Sequence, residues 1–139
     1  MEARSTELRF PTAGDGDAVD ITPEVQRFVE SSDVAQGQAS AFVRGSTAAI
    51  TTMEYEPGGV RDLRAMLERL IPSQGSYEHN LLNHDTNSHA HQRASLIGPS
   101  LSAPVIDGRL ALGTWQQIVL LDFDDRPRER TVIVQTFAA

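Results

Sequence analysis

All four histidines of this chain fall between positions 79 and 91, in the run Tyr77-Glu-His79-Asn-Leu-Leu-Asn-His84-Asp85-Thr-Asn87-Ser-His89-Ala-His91. Imidazole is the side chain best suited to move a proton near neutral pH, and it is a common metal ligand. With Asp85 among them, these histidines hold most of the capacity in the chain for either task. The rest of the sequence narrows the chemistry further. Cysteine and lysine are both absent, which excludes a thiolate nucleophile, a thiolate metal ligand, a Schiff base and a lysine-bearing phosphate loop. What remains is His, Asp, Glu, Arg and hydroxyls.

The segment admits two readings. On an extended backbone His89 and His91, two apart, point to one face. With His79, His84 or Asp85 they then complete a set of three or four ligands for a divalent metal, zinc or magnesium. In the plainer reading the histidines are exposed loop residues, and Asn83, Asp85, Thr86, Asn87 and Ser88 are the polar turn formers expected there. His91 is the leading candidate for catalysis or ligation, and no organic cofactor is implied.

Other polar groups are candidates to gather around it. Glu54, after the run Ala48–Met53, is either a general base, a metal partner or a plain rim carboxylate. Arg93 offers a planar fork to a phosphate oxygen, and Ser95, Gly98, Ser100 and the backbone near Gly113-Thr114 offer neutral donors to the same anion. A simple ion pair between Arg93 and one of the 19 acidic residues is the competing account. Trp115, the only tryptophan, reads as core or interface packing, whereas Gln116 beside it is harder to place in a core.

The elements that must position these residues read as follows. Thr6–Phe10 alternates like a strand and leads into a Gly/Asp turn at Gly14–Asp17. Thr22-Pro23-Glu24 is a helix start: Thr22 as acceptor for free amides, Pro23 in the first turn, Glu24 at the positive end of the dipole. Val25, Phe28 and Val29 make its apolar face. Gln38–Arg44 and Ser46–Thr52 read as strands meeting at Gly45. A second helix runs from about Pro57, with Val60, Leu63, Leu67 and Leu70 on one side, and Pro72 ends it. After the histidines come Arg93–Gly98, Ala103–Ile106, an Asp107-Gly108 hairpin turn, Arg109–Leu112, Gln117–Phe123 and Thr131–Phe137, read as mainly strands. The expectation is one α+β domain over residues 1–139: an antiparallel sheet folded into a sandwich or open barrel, with two helices on one side. A dinucleotide fold is not expected, since no Gly-x-Gly-x-x-Gly occurs and the last forty residues show no strand–helix alternation.

Composition bounds the partners. A chain of 139 residues is long enough to bury roughly two thirds of its unfolded surface. Hydrophobic residues make up 40% and charged residues 22%, as in ordinary globular proteins rather than disordered ones. No run is long enough to span a bilayer, and the start is too polar for a signal peptide, so a cytoplasmic location is expected. A net charge of −7 argues against nucleic acid and anionic membranes as partners, because both need clustered positive charge.

Three stretches carry a family likeness: Asp85-Thr-Asn87-Ser-His89-Ala-His91-Gln-Arg93-Ala-Ser-Leu-Ile-Gly-Pro-Ser-Leu, Pro104-Val-Ile-Asp-Gly-Arg-Leu-Ala-Leu-Gly-Thr-Trp-Gln116 and Arg130-Thr-Val-Ile-Val-Gln135. They resemble the YjbQ-like proteins, also called the secondary thiamine-phosphate synthase family, and the likeness extends over nearly the whole chain. The resemblance implies an α+β homotrimer with pockets near subunit boundaries. It also implies a small phosphorylated metabolite as ligand and a weak thiamine-phosphate synthase activity, which joins a hydroxymethylpyrimidine diphosphate to a thiazole phosphate with loss of diphosphate. By motif, His79, Asp85, His91, Ser95, the turn Gly113-Thr114-Trp115-Gln116 and Glu54 carry over. One departure stands out: many members have histidine where this chain has Gly45. His84 and His89 are candidates to compensate, so the ligand set stays open. A non-catalytic metal or ligand binder, or an enzyme for another phosphorylated metabolite, are the alternatives.

Overall fold

The strand β7 (Gln117–Asp122) explains the layering. Ile118 and Leu120 face one way, Val119 and Leu121 the other, and all four are at most 2% exposed. A strand buried on both faces needs a cover on each side, which is why this segment reads as an unbroken apolar run. The computed structural model describes residues Met1–Ala139, and it supplies both covers.

One cover is a five-stranded sheet in the order β1 (Glu2–Thr12), β8 (Arg128–Ala138), β3 (Gln36–Val43), β5 (Ser100–Ile106), β6 (Arg109–Leu110). β7 itself lies in a second sheet, between β2 (Asp17–Asp20) and β4 (Ala48–Met53). Every pairing is antiparallel. Between the sheets lie Phe10, Ala41, Val43, Ile50, Ile118, Leu120, Val132 and Val134, joined by Ile21 and Val25 at the start of α1 (Thr22–Ser31). The second cover is helical. Leu67 of α2 (Pro57–Leu70) and Ala90 and Ala94 of α4 (Ser88–Ile97) pack with Ala49, Val119, Leu121 and Phe123. No helix is long and apolar enough to cross a membrane.

The α+β sandwich matches expectation, but four helices stand where two were expected. α3 (Glu78–Asn83) and α4 occupy the histidine-rich segment and the stretch Arg93–Gly98 that reads as strand. The reason is compositional. The buried residues of α4 are Ser88, His89, Ala90, Arg93 and Ala94, so its helical period is written in alanines and polar residues rather than in large hydrophobics. Two finer expectations also shift. Thr22 does not cap α1; its Oγ1 accepts from the Ile118 amide at 2.8 Å, fastening the helix start to β7. On α2, Leu67 is buried but Leu70 is 62% exposed, and Glu56 caps the helix by accepting from the Gly58 and Gly59 amides.

A buried polar network ties the two sheets together at one end. Arg130 of β8 donates from Nε and Nη2 to the Asp122 carboxylate at 2.7 and 2.8 Å, and Nη2 also reaches Thr47 Oγ1 at 2.6 Å. Thr12 of β1 donates to the same Asp122. Asp124 accepts from Thr47 and from Arg128 Nε at 3.1 and 3.0 Å. Both aspartates are fully buried. Burial by itself raises the Asp124 pKa, but the Asp125 amide, Arg128 and Thr47 outweigh it and hold the carboxyl at about 2.

Candidate functional site

α3 and α4 meet at a turn whose polar side chains fix the angle between them. Asn80 accepts from the Ser88 amide with its side-chain oxygen at 3.0 Å, and its backbone carbonyl accepts from the Asp85 amide at 3.1 Å. His84 closes α3 in the left-handed conformation at φ 52°, one of the few non-glycine residue types found there with any frequency. Asn87 is buried and is the N-cap residue of α4, its carbonyl receiving the Ala90 and His91 amides.

This junction brings His79 and His91 together. Their ring centroids are 4.7 Å apart at an interplanar angle of 62°, an edge-on contact. His79 Nε2 lies 3.2 Å from Asn87 Oδ1 and 3.8 Å from Asp85 Oδ2. Its Nδ1 faces Asn83 Nδ2 at 3.5 Å, and that same amide donates to the His79 carbonyl at 2.9 Å. His91 is half-buried and lines a shallow depression with Ile71, Gln92, Ser95 and Leu96. Its ring nitrogens take no hydrogen bond from the chain, which leaves them available to a ligand.

The other candidates lie elsewhere. Because the segment is helical, His89 and His91 stand about 200° apart around α4 and face opposite ways. His89 is 5% exposed on the inner face, its Nδ1 without a partner, and burial first, then the Arg93 charge, lowers its pKa. His84 is exposed at its cap position. Arg93 is not open to a phosphate: it is buried, donating to the Ile71 carbonyl from Nε and Nη2 at 3.2 and 2.8 Å and to Glu68 at 2.7 Å. The competing account, an ion pair, is the one observed. Glu54 is exposed after β4. Gln116 accepts from the Gly113 amide, donates to Thr52 Oγ1 and lines a different cleft, between β4 and β5. Trp115 is 74% exposed rather than in the core, and Thr114 is exposed beside it.

No three His, Asp or Glu side chains converge on a point that one metal ion could occupy. His79, Asp85 and His91 are neighbours, but the nitrogens of His79 are already engaged by Asn83 and Asn87. A resident mononuclear metal does not fit this donor set. Sequence reasoning missed Asn83 and Asn87 as site residues by treating them as turn formers. The signal was there, since His79 and Asn83 sit four apart, the spacing that brings side chains together on a helix.

The comparisons agree with this architecture. The family model described as UPF0047 protein YjbQ-like matches residues 6–139. A UPF0047 protein of Archaeoglobus fulgidus is 42% identical over 93% of this chain and 98% of its own length. UPF0047 protein YugU of Bacillus subtilis is 34% identical over 92% of this chain and 95% of its own. Among solved structures, a YbjQ-like protein of unknown function from Sulfolobus solfataricus P2 superposes with a TM-score of 0.94 at 34% identity, covering 99% of each chain. Matched along nearly its whole length in both sequence and fold, the chain belongs to the YjbQ-like UPF0047 family.

Proposed function

We propose that this protein is an enzyme acting on a phosphorylated metabolite, with His91 as the group that meets the substrate. The reaction we assign is the coupling of a hydroxymethylpyrimidine diphosphate to a thiazole phosphate. In that reaction the carbon–oxygen bond to diphosphate breaks with its electron pair leaving on oxygen, and the thiazole nitrogen forms the new bond to the freed methylene carbon. The main demand is to stabilise charge on the departing diphosphate. A protonated imidazole at its oxygen serves that need as a general acid. The observation that carries this reading is the state of His91: half-buried, braced edge-on by His79, with ring nitrogens that no group in the chain uses.

We further propose that the site is completed in a homotrimer. The depression at His91 is shallow in one chain, Leu96 in its lining is 60% exposed, and on α3 Leu81 and Leu82 are 71% and 80% exposed. Apolar exposure of this kind calls for a cover. Light scattering on the purified protein tests the assembly, with three copies expected and a monomer counting against it.

The activity test is release of diphosphate from the pyrimidine diphosphate in the presence of the thiazole phosphate. His91→Ala is expected to abolish release while leaving fold and assembly intact. Full turnover in that variant would remove His91 from the mechanism, and no turnover in the unaltered protein would leave the site as a binder of phosphorylated ligands.

A further inference from the structure

The hydrogen bonds around His79 fix where its proton sits. A backbone carbonyl can only accept, so the 2.9 Å contact from Asn83 to the His79 carbonyl requires the Asn83 amide nitrogen, with its two N–H groups, to face the histidine. The ring atom beside that nitrogen, Nδ1 at 3.5 Å, must then be the acceptor and carries no hydrogen. The proton of the neutral ring is left on Nε2, where Asn87 presents its oxygen at 3.2 Å and Asp85 lies 3.8 Å away. Each bond dictates the next. The starting point is a carbonyl whose role is not open to choice, so the assignment does not depend on an arbitrary orientation of either amide.

From this chain of donors and acceptors we infer that Asn83 and Asn87 are positioning residues. They lock His79 as the Nε2–H tautomer, so that His79 braces His91 without itself binding a metal or taking a proton from substrate. To ligate a metal, His79 would have to free a nitrogen by breaking its bond to Asn83 or Asn87. His91 faces no such competition, and it alone of the pair is open to a ligand. The histidine pair therefore works by proton transfer and hydrogen bonding, one ring fixed and one ring active.

This division of labour rests on His91 being the working group, yet its signature is read without substrate, so the two can fail separately. The test is long-range nitrogen–proton NMR on the intact, nitrogen-15-labelled protein, followed by titration with zinc chloride. The expected result is a single Nε2–H tautomer for His79 and averaging between tautomers for His91. Asn83→Ala should turn the His79 signals into a mixture, a change that a merely structural asparagine would not produce. Equimolar zinc should leave the His79 nitrogens unmoved. A dominant Nδ1–H tautomer for His79 in the unaltered protein would overturn the assignment, whether or not the variant folds. So would stoichiometric zinc binding that shifts both rings together.

Discussion

Gly45 lies directly against the guanidinium of Arg130: a Cβ built on it would meet Nη1 at 2.7 Å and find nothing else nearer than 3.8 Å. The glycine also holds φ at +133°, where side-chain-bearing residues are strained. The absence of a side chain at Gly45 leaves room for the arginine of the ion pair that joins the sheets. Gly45→His should therefore destabilise the protein by about 1–3 kcal/mol, the usual scale for a residue forced into a sparse backbone region. Urea denaturation reads this directly, and an unchanged midpoint would mean that Arg130 is free to move aside.

The Arg130–Asp122 pair makes its own prediction. Both side chains are buried, and removing one strands the other as an uncompensated charge. Arg130→Met is expected to lose about 3–5 kcal/mol, whereas combining it with Asp122→Leu should recover part of that loss. Additive losses in the double variant would show that the two residues do not act as a pair.

Acid should unfold the protein partly through Asp124. In the unfolded chain its carboxyl takes up a proton near the ordinary 3.8, but in the folded state only near 2. A depressed carboxyl of this kind contributes stability above pH 3.8 and loses it as the pH falls through 3.8 towards 2, about 2 kcal/mol in all. Denaturation midpoints measured across that window should fall steeply in the unaltered protein and less steeply in Asp124→Asn. Parallel slopes would place the acid sensitivity elsewhere.

The strands and first two helices were legible because large apolar residues mark their period: Val25 and Val29 on α1, Leu67 on α2, Ile118 through Leu121 on β7. α3 and α4 were not. Their contacts run through Ala90, Ala94, a buried histidine and a buried arginine, and α3 leaves Leu81 and Leu82 exposed. Pattern reading finds helices by their greasy stripe, and here the stripe is almost absent. Reading that segment as extended put His89 and His91 on one face, and the helix separates them. The edge-on contact between His79 and His91 was not legible either, because it depends on how α3 meets α4. Asn83 was overlooked because its four-residue spacing from His79 has meaning only once the segment is read as a helix, and Asn87 because its contact with His79 runs between two helices.

Arg93 gives the last prediction, because it separates a structural role from a ligand-binding one. Its Nε and Nη2 hold the Ile71 carbonyl just past the end of α2, and Nη2 pairs with Glu68 on the preceding turn. The Glu68 pKa is lowered, first by the Ser73 amide and next by Arg93, so the carboxylate is committed to this corner. Arg93→Ala should cost about 2–3 kcal/mol, since it leaves a carbonyl and a carboxylate without their charged donor. Amide exchange should quicken in the turn around residues 68–73, and Arg93→Lys should restore only part of the protection, because an ammonium lacks the planar fork. An arginine kept for phosphate would behave the opposite way, leaving stability and exchange untouched while weakening the binding of phosphorylated ligands.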